Sequence, residues 1–382
     1  MVRLMDAYPG LEIERRPRLL VARLTAPHRV LSSCPVNGGL RDDLAAVVNH
    51  QCCEPRGHFP SALEAAVSDP PGYLRDFCRR RGLPENCALL STAVNVNNAG
   101  LARLTHRGLE VITLCTAGVE SNAAAAGDPA TVFESDGRFV PLVPADTPPA
   151  GTINLIVCIG RPLTPAAMVT AVMTATEAKA AVVMSLGIGS RYSDALATGT
   201  GTDQIAVAAR HGGEPPLTGA GKHTKLGELI GRTVSDALRE ALCFQNRLTA
   251  SGRCSTLILL ERFGLDSKRL QERVASALPA DAAALMSRNF EAFEGDPLTV
   301  AAVSTLVHLH EAFRSGMLPP ACRADVFAAA GARLAAAVSG RPDLTEEFQE
   351  HLMAAEIDGS NDALTNFVCR CLSVGYYRKW TS

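Results

Sequence analysis

Three threonines and two glycines run together at Thr198-Gly199-Thr200-Gly201-Thr202, and Asp203 follows at once. Glycines bare the backbone N–H groups and hydroxyls add donors, so this composition suits a loop that cradles an anion or an oxyanion. A tight bend between strands is the opposing reading, since threonine is a good β-former. The alternation also fits a strand that puts Thr198, Thr200 and Thr202 on one face. Its glycines would then let something bulky approach the backbone from the other.

A second constellation lies just upstream. Between Arg161 and Arg191 only Glu177 and Lys179 are charged. The segment reads as a helix covered on both faces, where an unpaired charge costs several kcal/mol. Two residues apart, these side chains point in different directions and cannot pair with one another. Either each meets its own buried partner, or they project into a polar cleft; the cleft is the favoured expectation. Downstream, "TGAGKHT" at 218–224 misses the P-loop pattern twice, with Pro216 where the first glycine belongs and His223 after the lysine. It does set Lys222, His223 and Thr224 at a helix start, where backbone donors favour anions. His223 there is a base, an acid, a ligand or simply a surface residue near the cap.

Weaker signals complete the set. "TAGVESNAAAAGD" at 116–128 places Glu120 and Asn122 beside a strand end, and Asn37 opens an Asn-Gly-Gly turn. His308 and Glu311 share a helical face, a spacing far more often found on a solvated surface than at a metal. Cys52-Cys53 and Cys369-x-Cys371 lack the paired spacing of a structural zinc site.

Composition bounds what these residues serve. Lysine and arginine number 37 against 39 acidic side chains, so no global field recruits nucleic acid or an anionic membrane. "CRRRG" at 78–82 is the tight basic cluster, read as a solvated face. The N-terminus has no secretory pattern and the apolar runs are short for a bilayer, so a soluble cytoplasmic protein without membrane insertion is expected. Its twelve cysteines are expected to be reduced.

The elements that must position these residues follow from periodicity. Residues 18–24 and 28–33 read as neighbouring strands, with further strands at 87–94, 109–115 and 152–160. "DALAT" and "QIAVAAR" read as strands entering and leaving the threonine run. Prolines at 141, 144, 148 and 149 mark a surface connection. Thr164-Pro165 caps a helix that runs to Gly187. A second, amphipathic helix turns Leu226, Leu229, Ile230, Val234, Leu238 and Leu242 inward. After about residue 250 the pattern is alanine-rich and helical throughout. The fold class is therefore α/β: a layered domain with a mixed β-sheet and packed helices over residues 1–249, then an all-helical C-terminal domain over 250–382 with no assigned role.

As an ordered set, "VLSSCPVNGGL" (30–40), "TAGVESNAAAAGD" (116–128), "GTINLIV" (151–157), "TATEAKAA" (174–181), "ATGTGTDQIAVA" (197–208) and "GKHTKLGELIG" (221–231) closely resemble the adenosylcobinamide amidohydrolases. The resemblance spans about residues 17–245. It implies cleavage of the amide between the corrin ring and the aminopropanol arm of adenosylcobinamide, giving adenosylcobyric acid for cobalamin salvage. Glu177 is then the expected base and His223 the expected acid, with Lys179 as a second proton donor. Thr198, Gly199, Thr200, Gly201, Thr202, Asp203, Asn122, Asn37 and Thr224 would receive the amide-fringed ring, the glycine N–H groups holding the oxyanion. No catalytic cofactor is expected, since the cobalt belongs to the substrate; a metal bound by His223, Asp203 and Glu177 ranks lower. A homodimer is compatible with so broad a ligand. Two alternatives stay open: a non-catalytic corrinoid carrier or sensor, and a phosphate-handling enzyme working at Lys222.

Overall fold

The computed structural model describes residues 2–380 apart from 6, 56, 57, 59, 61–64, 67, 120, 137, 143–150 and 354–356. Glu120 and the prolines at 144, 148 and 149 lie outside the described residues. The chain divides into two units, Met1–Leu248 and Thr249–Ser382.

In the first unit, alternation of side chains along the strands builds two sheets that share a core. Strands β1 (Val2–Met5), β2 (Leu11–Arg16) and β3 (Leu19–Leu24) form one sheet with β6 (Ala46–Gln51) and β7 (Cys87–Thr92), in the order β1-β2-β3-β6-β7. The other contains β4 (His28–Ser32), β5 (Gly39–Arg41), β8 (Gly100–His106), β9 (Leu109–Gly118), β13 (Thr152–Ile159) and β15 (Gln204–Arg210), ordered β5-β4-β15-β13-β9-β8. Two-stranded pairs join β10 (Ala123–Ala124) to β14 (Gly199–Thr200) and β11 (Val132–Ser135) to β12 (Arg138–Pro141). Both large sheets are mixed: β6–β7 and β13–β15 run parallel, the remaining pairs antiparallel.

Every residue of β13 is buried because both of its faces are covered. Ile156 and Cys158 pack with Ile112, Leu114, Val47 and Leu90 between the two sheets. Ile153, Leu155, Val157 and Ile159 pack outward against helices. Those helices are α2 (Pro165–Ser185) and α3 (Lys225–Asn246); α1 (Pro70–Arg81) covers the opposite side of the sandwich through Leu74, Phe77 and Cys78. The unit is thus layered α1, five strands, six strands, α2 with α3.

Three local expectations change. Strands β3 and β4 are consecutive but belong to different sheets, because Pro27 and the preceding turn carry the chain across the sandwich. "DALAT" is bend and a lone bridge at Leu196, not a strand. Helix α2 is covered on one face only: Ala167, Met168, Ala171 and Ala175 are buried, whereas Val169, Met173 and Met184 are more than 40% exposed. Its length and hydropathy match a membrane span, yet the buried face packs on the six-stranded sheet as a core helix does.

The second unit is all-helical among the described residues. Helices Pro297–Arg314, Arg323–Ser339 and Asn361–Trp380 surround Leu306, Phe313, Phe327, Leu334, Phe367 and Leu372. Gly331 and Gly375 let two of these helices meet closely. A Cβ on Gly331 would lie 2.7 Å from Phe367, and one on Gly375 2.6 Å from the Ala335 carbonyl.

Candidate active site

Parallel pairing of β13 with β15 fixes where the threonine run sits. With Asn154 opposite Gln204, the residues just before β15 lie at the N-terminal end of β13 and beside the C-terminal end of β9. Helix α2 runs back antiparallel to β13, as a crossover between parallel strands must, so its later turns return to that end. Lys179 on α2 therefore meets Asp203. Their side chains are 14% and 17% exposed and form an ion pair.

Asp203 organises the loop around itself. Its Oδ1 accepts from the N–H of Ile153 at 3.0 Å, the N–H of Thr200 at 3.1 Å and the Thr200 hydroxyl at 2.6 Å. The other oxygen takes Lys179. Gly199 is glycine because a Cβ there would stand 2.2 Å from Asp203 Oδ2 and 2.5 Å from Lys179 Nζ. Gly201 meets Asn122 in the same way, at 3.0 Å from Oδ1. Only Gly199 and Thr200 make strand pairs, with Ala124 and Ala123. Thr198, Thr200 and Thr202 do not form one continuous strand face, because the chain turns at Gly201 and Thr202.

Asn122 ties the turn down. It is 1% exposed, donates to the Gly151 carbonyl at 2.9 Å and to the Thr202 hydroxyl at 3.2 Å, and accepts from the Tyr192 hydroxyl at 2.8 Å. Thr202 also meets the Thr152 hydroxyl and donates to Gly151 O at 3.1 Å. Thr198 accepts from the Ala126 N–H at 3.0 Å. The Gly201 N–H donates to the Asn122 carbonyl at 3.1 Å, so it is not the free oxyanion donor expected of it. Seven of the expected residues, Lys179, Asn122, Gly199, Thr200, Gly201, Thr202 and Asp203, thus come together in one cluster, with Thr198 at its edge.

The others stand outside it. Glu177 is half exposed and pairs with Lys222, itself 71% exposed, so it neither meets a buried partner nor joins the polar cluster of Lys179, contrary to the favoured expectation. Each charge of α2 has its own partner, but only that of Lys179 is shielded. His223 is exposed and has no hydrogen bond or ion pair among the described residues. Thr224 caps α3, accepting from the Gly227 N–H at 3.0 Å and donating to the Gly221 carbonyl at 2.8 Å. Asn37 sits at φ 58°, a left-handed position that asparagine tolerates. There it donates to the Cys87 carbonyl at 3.0 Å and accepts from Arg41 at 3.3 Å. Among the described residues, no hydrogen bond or ion pair connects Glu177, His223, Thr224 or Asn37 to the Lys179–Asp203 cluster.

Among the described residues no three His, Cys, Asp or Glu side chains gather as a metal site. Glu311 pairs with Arg262 rather than His308. Cys369 and Cys371 are buried in the helical core, and burial pushes the Cys369 thiol up to about 11.

Polar residues unnoticed in the sequence complete this end of the sandwich. Asn49 donates to the Thr116 hydroxyl at 2.7 Å, and Asn154 donates to Asn49 at 2.9 Å and to the Ser91 carbonyl at 3.0 Å. Asn154 is fully buried and its Oδ1 has no partner among the described residues. Its signal was an amide inside the most β-like run of the chain. Asp128 accepts from Ser190 at 2.6 Å, Ser193 at 2.5 Å and the Ala125 N–H at 2.7 Å. Burial opposes its charge, but those donors prevail and hold its carboxyl below the usual range.

Comparison with known proteins agrees with the resemblance read from the sequence. The family model described as adenosylcobinamide amidohydrolase matches residues 5–250. A Halobacterium salinarum protein named adenosylcobinamide amidohydrolase is 32% identical over 223 residues, covering 58% of this chain and 84% of that protein. The uncharacterised protein MJ1613 of Methanocaldococcus jannaschii is 37% identical over 169 residues, covering 43% of this chain and 66% of its own length, just under two thirds. Among solved structures, the PH0078 protein from Pyrococcus horikoshii OT3 aligns at 12% identity over 64% of this chain and 83% of that one, with a TM-score of 0.30.

Proposed function

Because the chain belongs to the adenosylcobinamide amidohydrolase family, whose model spans residues 5–250, we propose that it hydrolyses the amide between the corrin ring and the aminopropanol arm of adenosylcobinamide. The products are adenosylcobyric acid, returned to cobalamin synthesis, and the free aminopropanol amine or its phosphate. Water supplies the hydroxyl of the new acid and the hydrogen of the departing amine. The reaction takes place in the cytoplasm on a small-molecule corrinoid whose cobalt is part of the substrate.

The observation that carries this reading is the Thr200 hydroxyl 2.6 Å from Asp203, with Lys179 paired to the same carboxylate. Thr200 Oγ adds to the amide carbonyl and passes its proton to Asp203, within the reach a general base requires. Lys179 offsets the negative charge that develops and donates to the leaving nitrogen. Water then cleaves the threonyl ester, regenerating the hydroxyl and releasing the corrin acid. Glu177 and His223 have no part in this version, since neither is joined to the cluster. A corrinoid carrier is the second reading, favoured by Asp203 and Asn122 having their hydrogen-bonding groups taken up by the fold.

Incubating the purified protein with adenosylcobinamide and following adenosylcobyric acid by mass spectrometry decides between them. Thr200→Val is expected to lower turnover by about 100-fold or more, and Thr200→Ser to retain it. Folded protein that binds the corrinoid without releasing product favours the carrier. Undiminished turnover in Thr200→Val refutes the role given to Thr200.

A further inference from the structure

A cavity of about 350 Å³ opens on the outer side of the five-stranded sheet, where Arg18, Arg80, Arg81, His50, Tyr73 and Phe77 line it. These residues come from three separate places: the turn between β2 and β3, the end of β6, and α1. Nothing in the amidase reading uses them.

The arginines here differ from those nearby. Arg16 and Arg23 pair with Glu14, and Arg79 pairs with Asp76. Among the described residues, Arg18 donates only to the Gln51 carbonyl at 3.0 Å, and Arg80 to the Asp76 carbonyl at 3.2 Å. Among the described residues no carboxylate pairs with Arg18, Arg80 or Arg81. Basic residues in the last turn of a helix complement its dipole, which accounts in part for Arg80 and Arg81. It does not account for Arg18, held at φ 64° on another element and facing the same hollow.

His50 is the independent observation. It is 6% exposed, its Nδ1 is buried without a partner among the described residues, and its ring packs on Phe77 with centroids 4.5 Å apart. Tyr73 lies nearly parallel to Phe77 at 6.2 Å, so one wall of the cavity is aromatic. A buried imidazole without a hydrogen bond, under three uncompensated cations, is costly unless something fills the space. Burial, and then Arg18 and Arg81, press the His50 imidazole down to about 4. An anion in the cavity would reverse the arginine contribution.

We propose that this cavity binds a phosphorylated small molecule, its phosphate held by Arg18, Arg80 and Arg81 and its apolar part set against His50, Tyr73 and Phe77. Guanidinium forks match phosphate oxygens in pairs. The volume is typical of a small-molecule site and exceeds what inorganic phosphate alone would fill.

Calorimetric titration of the full chain with phenyl phosphate, inorganic phosphate and phenol tests it. Phenyl phosphate is expected to bind at least about tenfold more tightly than either of the others, since it alone offers both parts. Arg18→Ala and Arg81→Ala are each expected to weaken it by about tenfold or more. Arg79→Ala removes the same charge from a residue paired outside the cavity and should change affinity less than about twofold. His50→Phe keeps the ring on Phe77 and the apolar wall, so affinity for phenyl phosphate should stay close to that of the wild type; a large loss would put the phosphate on the imidazole and overturn its assignment to the arginines. Failure of the wild-type chain to bind phenyl phosphate at millimolar concentration overturns the proposal. So does an equal loss in Arg79→Ala and Arg81→Ala, which would reduce the effect to net charge. Equal affinity for inorganic and phenyl phosphate removes the aromatic wall from the site.

Discussion

Replacing Gly199 with alanine tests whether the Lys179–Asp203 pair is what the glycine makes room for. The added Cβ would sit 2.2 Å from Asp203 Oδ2 and 2.5 Å from Lys179 Nζ. Gly199 has no left-handed φ, so the backbone itself accepts alanine. Asp203 cannot simply step aside, because Ile153 N–H, Thr200 N–H and the Thr200 hydroxyl hold its other oxygen. The ammonium therefore has to leave. With the partners 14% and 17% exposed, the cost falls between that of a surface pair and that of a broken buried one, about 2 kcal/mol. For a unit of this size that lowers the calorimetric midpoint by roughly 4–8 °C. On a Lys179→Ala/Asp203→Ala background both obstacles are gone. Gly199→Ala should there stabilise by about 0.4–1 kcal/mol, because alanine restricts the unfolded chain. The same cost in both backgrounds, or none in the wild type, would refute this account of the glycine.

Three further outcomes follow from the structure. His50 is lowered from 6.5 to about 4, so folding favours its neutral form; that contribution is complete above pH 6.5 and is lost as pH falls through 4. At 1.36 kcal/mol per unit it amounts to about 3 kcal/mol, and His50→Phe should flatten the stability profile between pH 6.5 and 4 in denaturant titrations. Thr224→Ala removes the cap of α3 and should cost about 1 kcal/mol, read by the same titrations at pH 7. Gly331→Val places methyl groups where Phe367 and Cys371 already lie within 3 Å of a Cβ; it should destabilise the helical unit by about 1–3 kcal/mol, seen as an earlier loss of far-ultraviolet circular dichroism.

Periodicity revealed the elements better than their partners. The inward leucines of α3 were legible because a 3.6-residue stripe is a local property. The separation of β3 from β4 was not, since a three-residue connection looks the same whether it joins neighbours or crosses between sheets. Alternation at Thr198–Thr202 suggested a strand, but the hydrogen bonds of Asp203 and Asn122 bend the chain after two residues. In α2 the apolar residues on the exposed face conceal which side is covered, so the sequence alone reads the helix as covered on both faces and Glu177 as facing a cleft or a buried partner. The cavity arginines carried a local signal in "CRRRG", whereas Arg18 and His50 reach it only through tertiary structure.

The two glycines of the threonine run bear on where chemistry can occur. Each faces a side chain of the protein, Asp203 and Lys179 at one and Asn122 at the other. The space they provide is therefore filled from within, and the Gly201 N–H is already engaged. A corrin ring laid against this loop would meet hydroxyls at its rim rather than bare backbone. With the Gly201 N–H taken, a side chain can supply the oxyanion donor, and among the clustered residues Lys179 is the cation able to serve. Lys179→Arg preserves charge but not the compact ammonium beside Gly199. It should leave corrinoid affinity within about threefold while reducing turnover by about tenfold or more, as expected for an interaction made mainly in the transition state. Loss of affinity with unchanged turnover would instead make Lys179 a binding residue and move the search for the proton donor elsewhere on the rim.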